Sequence, residues 1–194
     1  MEKAASIFLR ADIEPQDVRS LWAWMQNEQV TRYLNEGQGV AGELRELLRS
    51  VPPMLLRCRF NQRGRFFMVD RREDPVGFVK LQPQAPGCYE IVFAIGEEAL
   101  WGEGLGSAAV RAAESRAFLE WRARKLTARI YHGNQRSRRV VEKCGFRREQ
   151  ALECLDDYAI TFDDYLRRQT ERRGRPAGAG GGEGAFTAGG SCGR

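Results

Sequence analysis

The chain has one histidine in 194 residues, His132, and five cysteines at wide, irregular spacings: Cys58, Cys88, Cys144, Cys154 and Cys192. No Cys-x-x-Cys pair occurs, so a zinc site lacks ligands at suitable spacing. An odd number of scattered cysteines reads as reduced thiols rather than a disulfide framework. Long apolar runs are missing too, and none approaches the roughly 18 residues that span a bilayer. The opening Met1-Glu2-Lys3-Ala4-Ala5-Ser6 lacks the apolar core of a secretory leader. The expectation is therefore a cytoplasmic protein with no membrane association. No Gly-Lys-Ser/Thr follows any glycine turn, which excludes a Walker nucleotide site.

Strong charge of one sign is confined to one end. The net charge is +5, yet from Arg167 onward six arginines (167, 168, 172, 173, 175, 194) face two glutamates (171, 183), a net +4, leaving +1 for residues 1–166. A nucleic-acid-binding face is not implied for the folded part. The tail could contact RNA or acidic surfaces, but a solvated terminus is the reading taken. Gly178 to Gly184 is nearly all Gly, Ala and Glu, with nothing to bury. The expected organisation is one domain over 1–168 and a Gly/Arg-rich disordered tail over 169–194.

What is present is a hydrophobic content of 42%, enough for a core, and a readable run of elements. Ile7 to Arg10 reads as a strand. Pro15 opens a helix to about Gln26, with Glu14 and Asp17 near its positive end. Ala41 to Ser50 reads as a helix with Leu44, Leu47 and Leu48 on one stripe. Arg65–Val69 and Val76–Leu81 flank a charged turn as a hairpin. Tyr89–Ile95 is a strand, followed by the turn Trp101-Gly102-Glu103-Gly104-Leu105-Gly106 and a helix from Ser107 to about Trp121. Leu126–Tyr131 alternates as a half-buried strand does. Gln135–Lys143 is helical with Gly145 as a left-handed cap, and Asp157–Phe162 is a last strand. The order implies a mixed sheet with helices on its faces.

The glycine turn carries the chemistry. Glycines between a strand and a helix N-terminus let several N–H groups point one way, and the helix dipole favours an anion there. Alone, such a turn is weak evidence, and it is a poor dinucleotide fingerprint because the strand before it does not open a βαβ unit. Its company is specific. The acidic strand Tyr89-Glu90-Ile91 precedes it, and Asn134…Ser137…Glu142-Lys143-Cys144-Gly145-Phe146 follows about 30 residues on. Together these blocks resemble the GNAT acetyltransferase superfamily, in its Rim-type branch of ribosomal-protein, aminoglycoside and polyamine acetyltransferases. The resemblance covers roughly residues 5–166.

The resemblance implies an α/β (α+β) fold: a mixed, mostly antiparallel central sheet of six to seven strands with helices on both faces. It implies acetyl-CoA as cosubstrate and a primary amine as acceptor, joined by direct attack in a ternary complex. The strand at Tyr89–Ile95 would splay from that at Leu126–Tyr131, and backbone groups near Phe93, Ala94 and Ile95 would pair with the pantetheine arm. The N–H groups of Gly102, Glu103, Gly104, Leu105, Gly106 and Ser107 would hold the pyrophosphate, and Asn134 would contact the cofactor. Preorganised N–H donors suit the oxyanion that attack on a thioester creates. Amines carry a proton at neutral pH, with pKa near 8 to about 10.4, and Glu90 occupies the position of the group that removes it. The alternative for Glu90 is simple pairing with a cation on a neighbouring strand. The tyrosine that protonates the leaving thiolate in many relatives falls at Val141, and Ser137 matches the serine that replaces it in the Rim-type branch. Ser137 is equally readable as the polar start of a helix.

His132 reads as a solvated loop residue. Trp22 and Trp24 lie two apart on a helix and cannot share a face. One is core, and Trp24 with Tyr33 is assigned to the acceptor pocket. Loops at Asn27–Val40, Pro52–Arg63 and Gln82–Gly87 are expected to set acceptor specificity. A monomer or homodimer is expected. Two further hypotheses remain: a catalytically idle acyl-CoA-binding module of the same fold, and a ribosome-associated protein using its arginine tail.

Overall fold

The computed structural model describes residues 6–34 and 39–173. The expected tail beyond Arg173, with Cys192, lies outside them, as does part of the expected loop at Asn27–Val40. The strands are β1 (Phe8–Arg10), β2 (Arg65–Arg71), β3 (Asp74–Ala85), β4 (Cys88–Ile95), β5 (Lys125–Tyr131), β6 (Arg147–Ala151) and β7 (Leu155–Thr161). They form one seven-stranded sheet in the order β1-β2-β3-β4-β5-β7-β6. Neighbours are antiparallel except β4 and β5, which run parallel. The helices are α1 (Pro15–Met25), α2 (Glu28–Thr31), α3 (Val40–Ser50), α4 (Leu56–Phe60), α5 (Leu105–Ser115), α6 (Gln135–Lys143) and α7 (Phe162–Arg173). The mixed α/β fold with a mostly antiparallel sheet is thus the architecture observed.

Strand alternation sorts side chains onto two faces. On one face Val79, Leu81, Ile91, Leu126, Ala128, Ile130 and Ile160 pack against Leu105, Val110 and Ala113 of α5, Val141 of α6 and Tyr165 of α7. On the other, Phe66, Met68 and Phe78 pack against Val18, Leu21 and Trp24 of α1, Val30 of α2, Leu44 of α3 and Leu56 of α4. Leu47 and Leu48 join that second core, so the leucine stripe of α3 does face inward. Arg10 ties β1, α1 and β2 together, donating to Asp17 at 2.8 Å and to Asp70 at 2.7 Å. Asp17 also accepts the Glu14 N–H at 2.7 Å at the start of α1.

Besides α2 and α4, which occupy parts of the stretches read as loops at 27–40 and 52–63, four details differ from the sequence reading. The β2–β3 turn is a two-residue loop, Arg72-Glu73, with φ of 53° and 77°. Both residues are left-handed, as a turn matching the strand twist requires. β3 continues to Ala85, so Gln82 to Ala85 is strand rather than loop. Pro83 is tolerated because β2 ends its pairing at Leu81, leaving that side of β3 without a ladder, and a bulge follows at Pro83/Ala85. The helix after the glycine turn begins at Leu105 and turns π-helical over Arg116–Glu120. A helix not expected from the sequence follows β7: α7 starts at Phe162, on a capping box of Thr161 and Asp164, and runs to Arg173. Arg168 of α7 pairs with Glu114 of α5, which is fully buried.

Candidate active site

β4 and β5 pair at Cys88↔Lys125, Tyr89↔Leu126 and Glu90↔Thr127, and there the pairing stops. β4 stays bonded to β3 up to Ile95, and β5 stays bonded to β7 up to Tyr131. The two strands therefore part like the arms of a V, and the β4 edge over 91–95 faces the gap without a strand partner. Unpaired strand edges offer alternating donors and acceptors to an extended ligand. The gap opens into a cleft of about 580 Å³, walled by Ile91–Ile95, the glycine turn, α6 and α2. Phe93, Ala94 and Ile95 all line it.

The glycine turn closes one end. Gly102 and Gly104 have φ of 88° and 81°, a region that costs other residues roughly 1–2 kcal/mol. A side chain at either would meet nothing within 4 Å, so the space above them is open. The first α5 bond is donated by Ala108 to the Gly104 carbonyl at 3.0 Å. Leu105, Gly106 and Ser107 thus carry the free N–H groups of a helix N-terminus, and all three line the cleft. Trp101 braces the turn by donating Nε1–H to the Ile95 carbonyl at 2.8 Å. The side chain of Glu103 leaves the cleft and pairs with Arg71 at 2.7 Å.

α6 forms the facing wall. Asn134 caps it, its Oδ1 accepting the Ser137 N–H at 3.1 Å, so its side-chain amide N–H2 is what remains for a ligand. Ser137 lines the cleft, half-buried. Val141 is fully buried in the core and has no proton to give. Arg136, Arg139 and Lys143 also line the cleft, and the Arg136 guanidinium lies 3.6 Å from the centre of the Trp101 ring. Cations in the first turn of a helix oppose its dipole unless an anion sits nearby. No acidic residue occupies the first turn of α6. For Arg136 that misplaced charge was the available sequence signal, which the motif reading passed over; Lys143, in the last turn, sits where a cation suits the dipole.

Glu90 stands at the vertex, the last residue of β4 paired with β5, with 4% of its surface exposed. Its carboxylate accepts from Arg129 Nε at 2.9 Å and Nη2 at 2.6 Å, and from Gln84 Nε2 at 2.9 Å. The Glu90 hydrogen bond holds the Arg129 guanidinium above its ordinary value, against the burial that lowers it. The cation on a neighbouring strand is therefore real, and Arg129 lines the cleft beside Glu90.

At the far end Tyr33 lines the cleft, with its ring 6.3 Å from that of Tyr131. Trp24 does not reach it. The indole is buried over Gly96, where any side chain would overlap it, and its Nε1–H is donated to Glu97 at 2.9 Å. Trp24 is core because the inward stripe of α1 runs through Val18 and Leu21 to it, while Trp22 is only partly buried. His132 lies outside the cleft walls, partly exposed and 3.3 Å from the buried Asp156. Cys58, Cys88 and Cys154 are free thiols, and the Cys144 Sγ–H is donated to the Ser107 carbonyl at 3.5 Å. Among the described residues no cluster of His, Cys, Asp and Glu could hold a metal ion, and no helix is long and apolar enough to cross a membrane.

Residues 7–147 match a family model described as an acetyltransferase (GNAT) domain. No curated protein matches the chain significantly. An aminoglycoside acetyltransferase solved with coenzyme A is similar at a TM-score of 0.69 and 18% identity, over 84% of this chain and 99% of that one. The spermidine N-acetyltransferase of Vibrio cholerae, solved with CoA and spermine, gives 0.68 and 21%, over 82% and 98%. A GNAT-family acetyltransferase from Bacillus anthracis gives 0.66 and 22%, over 83% and 98%. At such identities the solved structures share the fold. The matched segment runs from before β1 to the start of β6, through the splay, the glycine turn and α6, and the chain belongs to the GNAT acetyltransferase family.

Proposed function

We propose that this protein is an acetyl-CoA-dependent N-acetyltransferase of the Rim-type branch, acting on a primary amine by direct attack in a ternary complex. The observation that carries this reading is the parting of β4 from β5, which leads straight to an open helix N-terminus. The residues present fit the cosubstrate. A diphosphate needs clustered N–H donors, and Leu105, Gly106 and Ser107 supply them, with Gly102, Glu103 and Gly104 shaping the approach. Arg136, Arg139 and Lys143 add positive charge on the facing wall. The free β4 edge at Phe93, Ala94 and Ile95 suits an amide-bearing arm, which would pair as an added strand.

Acetyl-CoA supplies the acetyl group as a thioester. Glu90 takes the proton of the incoming amine: its carboxylate has about four lone-pair sites and accepts three hydrogen bonds, leaving one. Asn134 orients the ligand through its amide N–H2, and Ser137 offers a hydroxyl proton toward the thiol. Tyr33 flanks the acceptor end.

One observation favours a second reading, an idle acyl-CoA-binding module. Both Glu90 oxygens are held by Arg129 and Gln84, and Val141 cannot protonate a thiolate. A thiol-release assay with acetyl-CoA and an amine panel separates the two. Amine-dependent release with a matching acetylated product is expected. Tight acetyl-CoA binding without turnover on any amine would establish the module instead.

A further inference from the structure

Resting on the acetyltransferase reading above, we propose that the acceptor is a free α-amino acid, whose ammonium meets Glu90 and whose carboxylate meets Arg129. Among the described residues of the cleft wall, Glu90 is the one acid. Arg129 answers its charge through two hydrogen bonds, from Nε and Nη2. A guanidinium has five N–H donors in a rigid fork. The two on Nη1 have no hydrogen-bond partner among the described residues, and the Arg129 side chain is 49% exposed. Its free edge is thus available to a second, planar anion.

The pair is a fixed dipole. An α-amino acid carries the complementary one, with opposite charges a few ångströms apart, so both ends are matched at once. The other described polar residues at this end of the cleft are neutral: Gln29, Tyr33 and Gln82. Asp157 sits opposite Arg129 on β7 and acts on its charge, but it does not line the cleft. A polycationic amine would bring further ammonium groups to Arg129, and among the described residues no second carboxylate lines the cleft to receive them, so such acceptors are selected against. Transfer forms the bond from the amine nitrogen to the acetyl carbonyl carbon and breaks the carbon–sulfur bond. The ammonium gives up two protons in all, one to the released thiol and one by way of Glu90 to solvent.

The test is thiol release with L-amino acids, the same amino acids as carboxamides, spermidine and kanamycin. The expected result is a kcat/KM for the acids about 10-fold or more above the amides, with the polyamines poorer still. Arg129→Gln should bring the acid-to-amide ratio toward one. The wild-type ratio stands even if that variant folds poorly. Amides equal to acids, or a preference for the polyamines, would overturn the inference while leaving the acetyltransferase reading intact. Acetyl-CoA binding without release on any of these amines would overturn both.

Discussion

Glu90 occupies the point where two strands separate, and it has two possible duties there. Its ion pair with Arg129 bridges β4 and β5 just beyond their last paired position, which staples the vertex. Its remaining lone pair can also take a proton from an amine. Glu90→Gln keeps the shape and much of the hydrogen bonding but removes the base. If proton transfer is its duty, kcat should fall about 10²- to 10⁴-fold with acetyl-CoA affinity retained. If it only staples, thermal stability drops and kcat is unchanged. Trp24 offers the opposite case. With its indole buried against Gly96, Trp24→Ala should cost about 3–5 kcal/mol of stability by denaturant titration. Its ranking of amine acceptors should match the native protein, and an altered ranking would return Trp24 to the acceptor pocket.

At the scale of elements, α7 shows how local chemistry sets a boundary. The Thr161 hydroxyl donates to Asp164 at 2.6 Å and accepts the Asp164 N–H at 3.2 Å. That hydrogen bond holds the Asp164 carboxyl below the usual carboxylate range, with burial opposing it and the Thr161 N–H and Arg167 assisting. A depressed folded-state value gives stability that is complete above the unfolded value near 3.9 and lost as pH falls through the folded value. Thr161→Ala should therefore lower stability by about 1 kcal/mol at neutral pH, or roughly 2–4 °C in Tm. The gap between variant and native protein should narrow, without vanishing, as pH drops below the ordinary aspartate range, because the bond from the Asp164 N–H to the hydroxyl does not titrate. A gap that is unchanged in acid would place the effect elsewhere. The Thr-x-x-Asp signature was legible in the sequence as a helix start, yet the strand before it and the arginines after it concealed it. β3 was cut short for the converse reason: Pro83 signals a loop, and only the end of β2 pairing makes it harmless in a strand.

For the whole molecule, what the sequence carried well was anything local in period. The leucine stripe of α3, the alternation of β5 and the glycine turn each report their own conformation. Long-range placement was not legible. Nothing in residues 125–131 says that Arg129 would grip Glu90 across the splay, and nothing in α1 says that Gly96 would accept the Trp24 indole. Both depend on the sheet order, which brings β5 beside β4 and places β7 between β5 and β6. The family motifs point to one end of the cleft because that end is built from one turn and one helix. The opposite end draws on α2, β3, β4 and β5 together, so its side chains came together only when those elements were assembled.

The central claim is that the gap between β4 and β5 seats acetyl-CoA with its diphosphate on the α5 N-terminus. A crystal structure with coenzyme A bound tests it most directly. The account predicts the pantetheine arm alongside Phe93–Ile95 and diphosphate oxygens at about 2.7–3.2 Å from the N–H groups of Leu105, Gly106 or Ser107. Coenzyme A bound outside the splay, or with its diphosphate away from that turn, would contradict it.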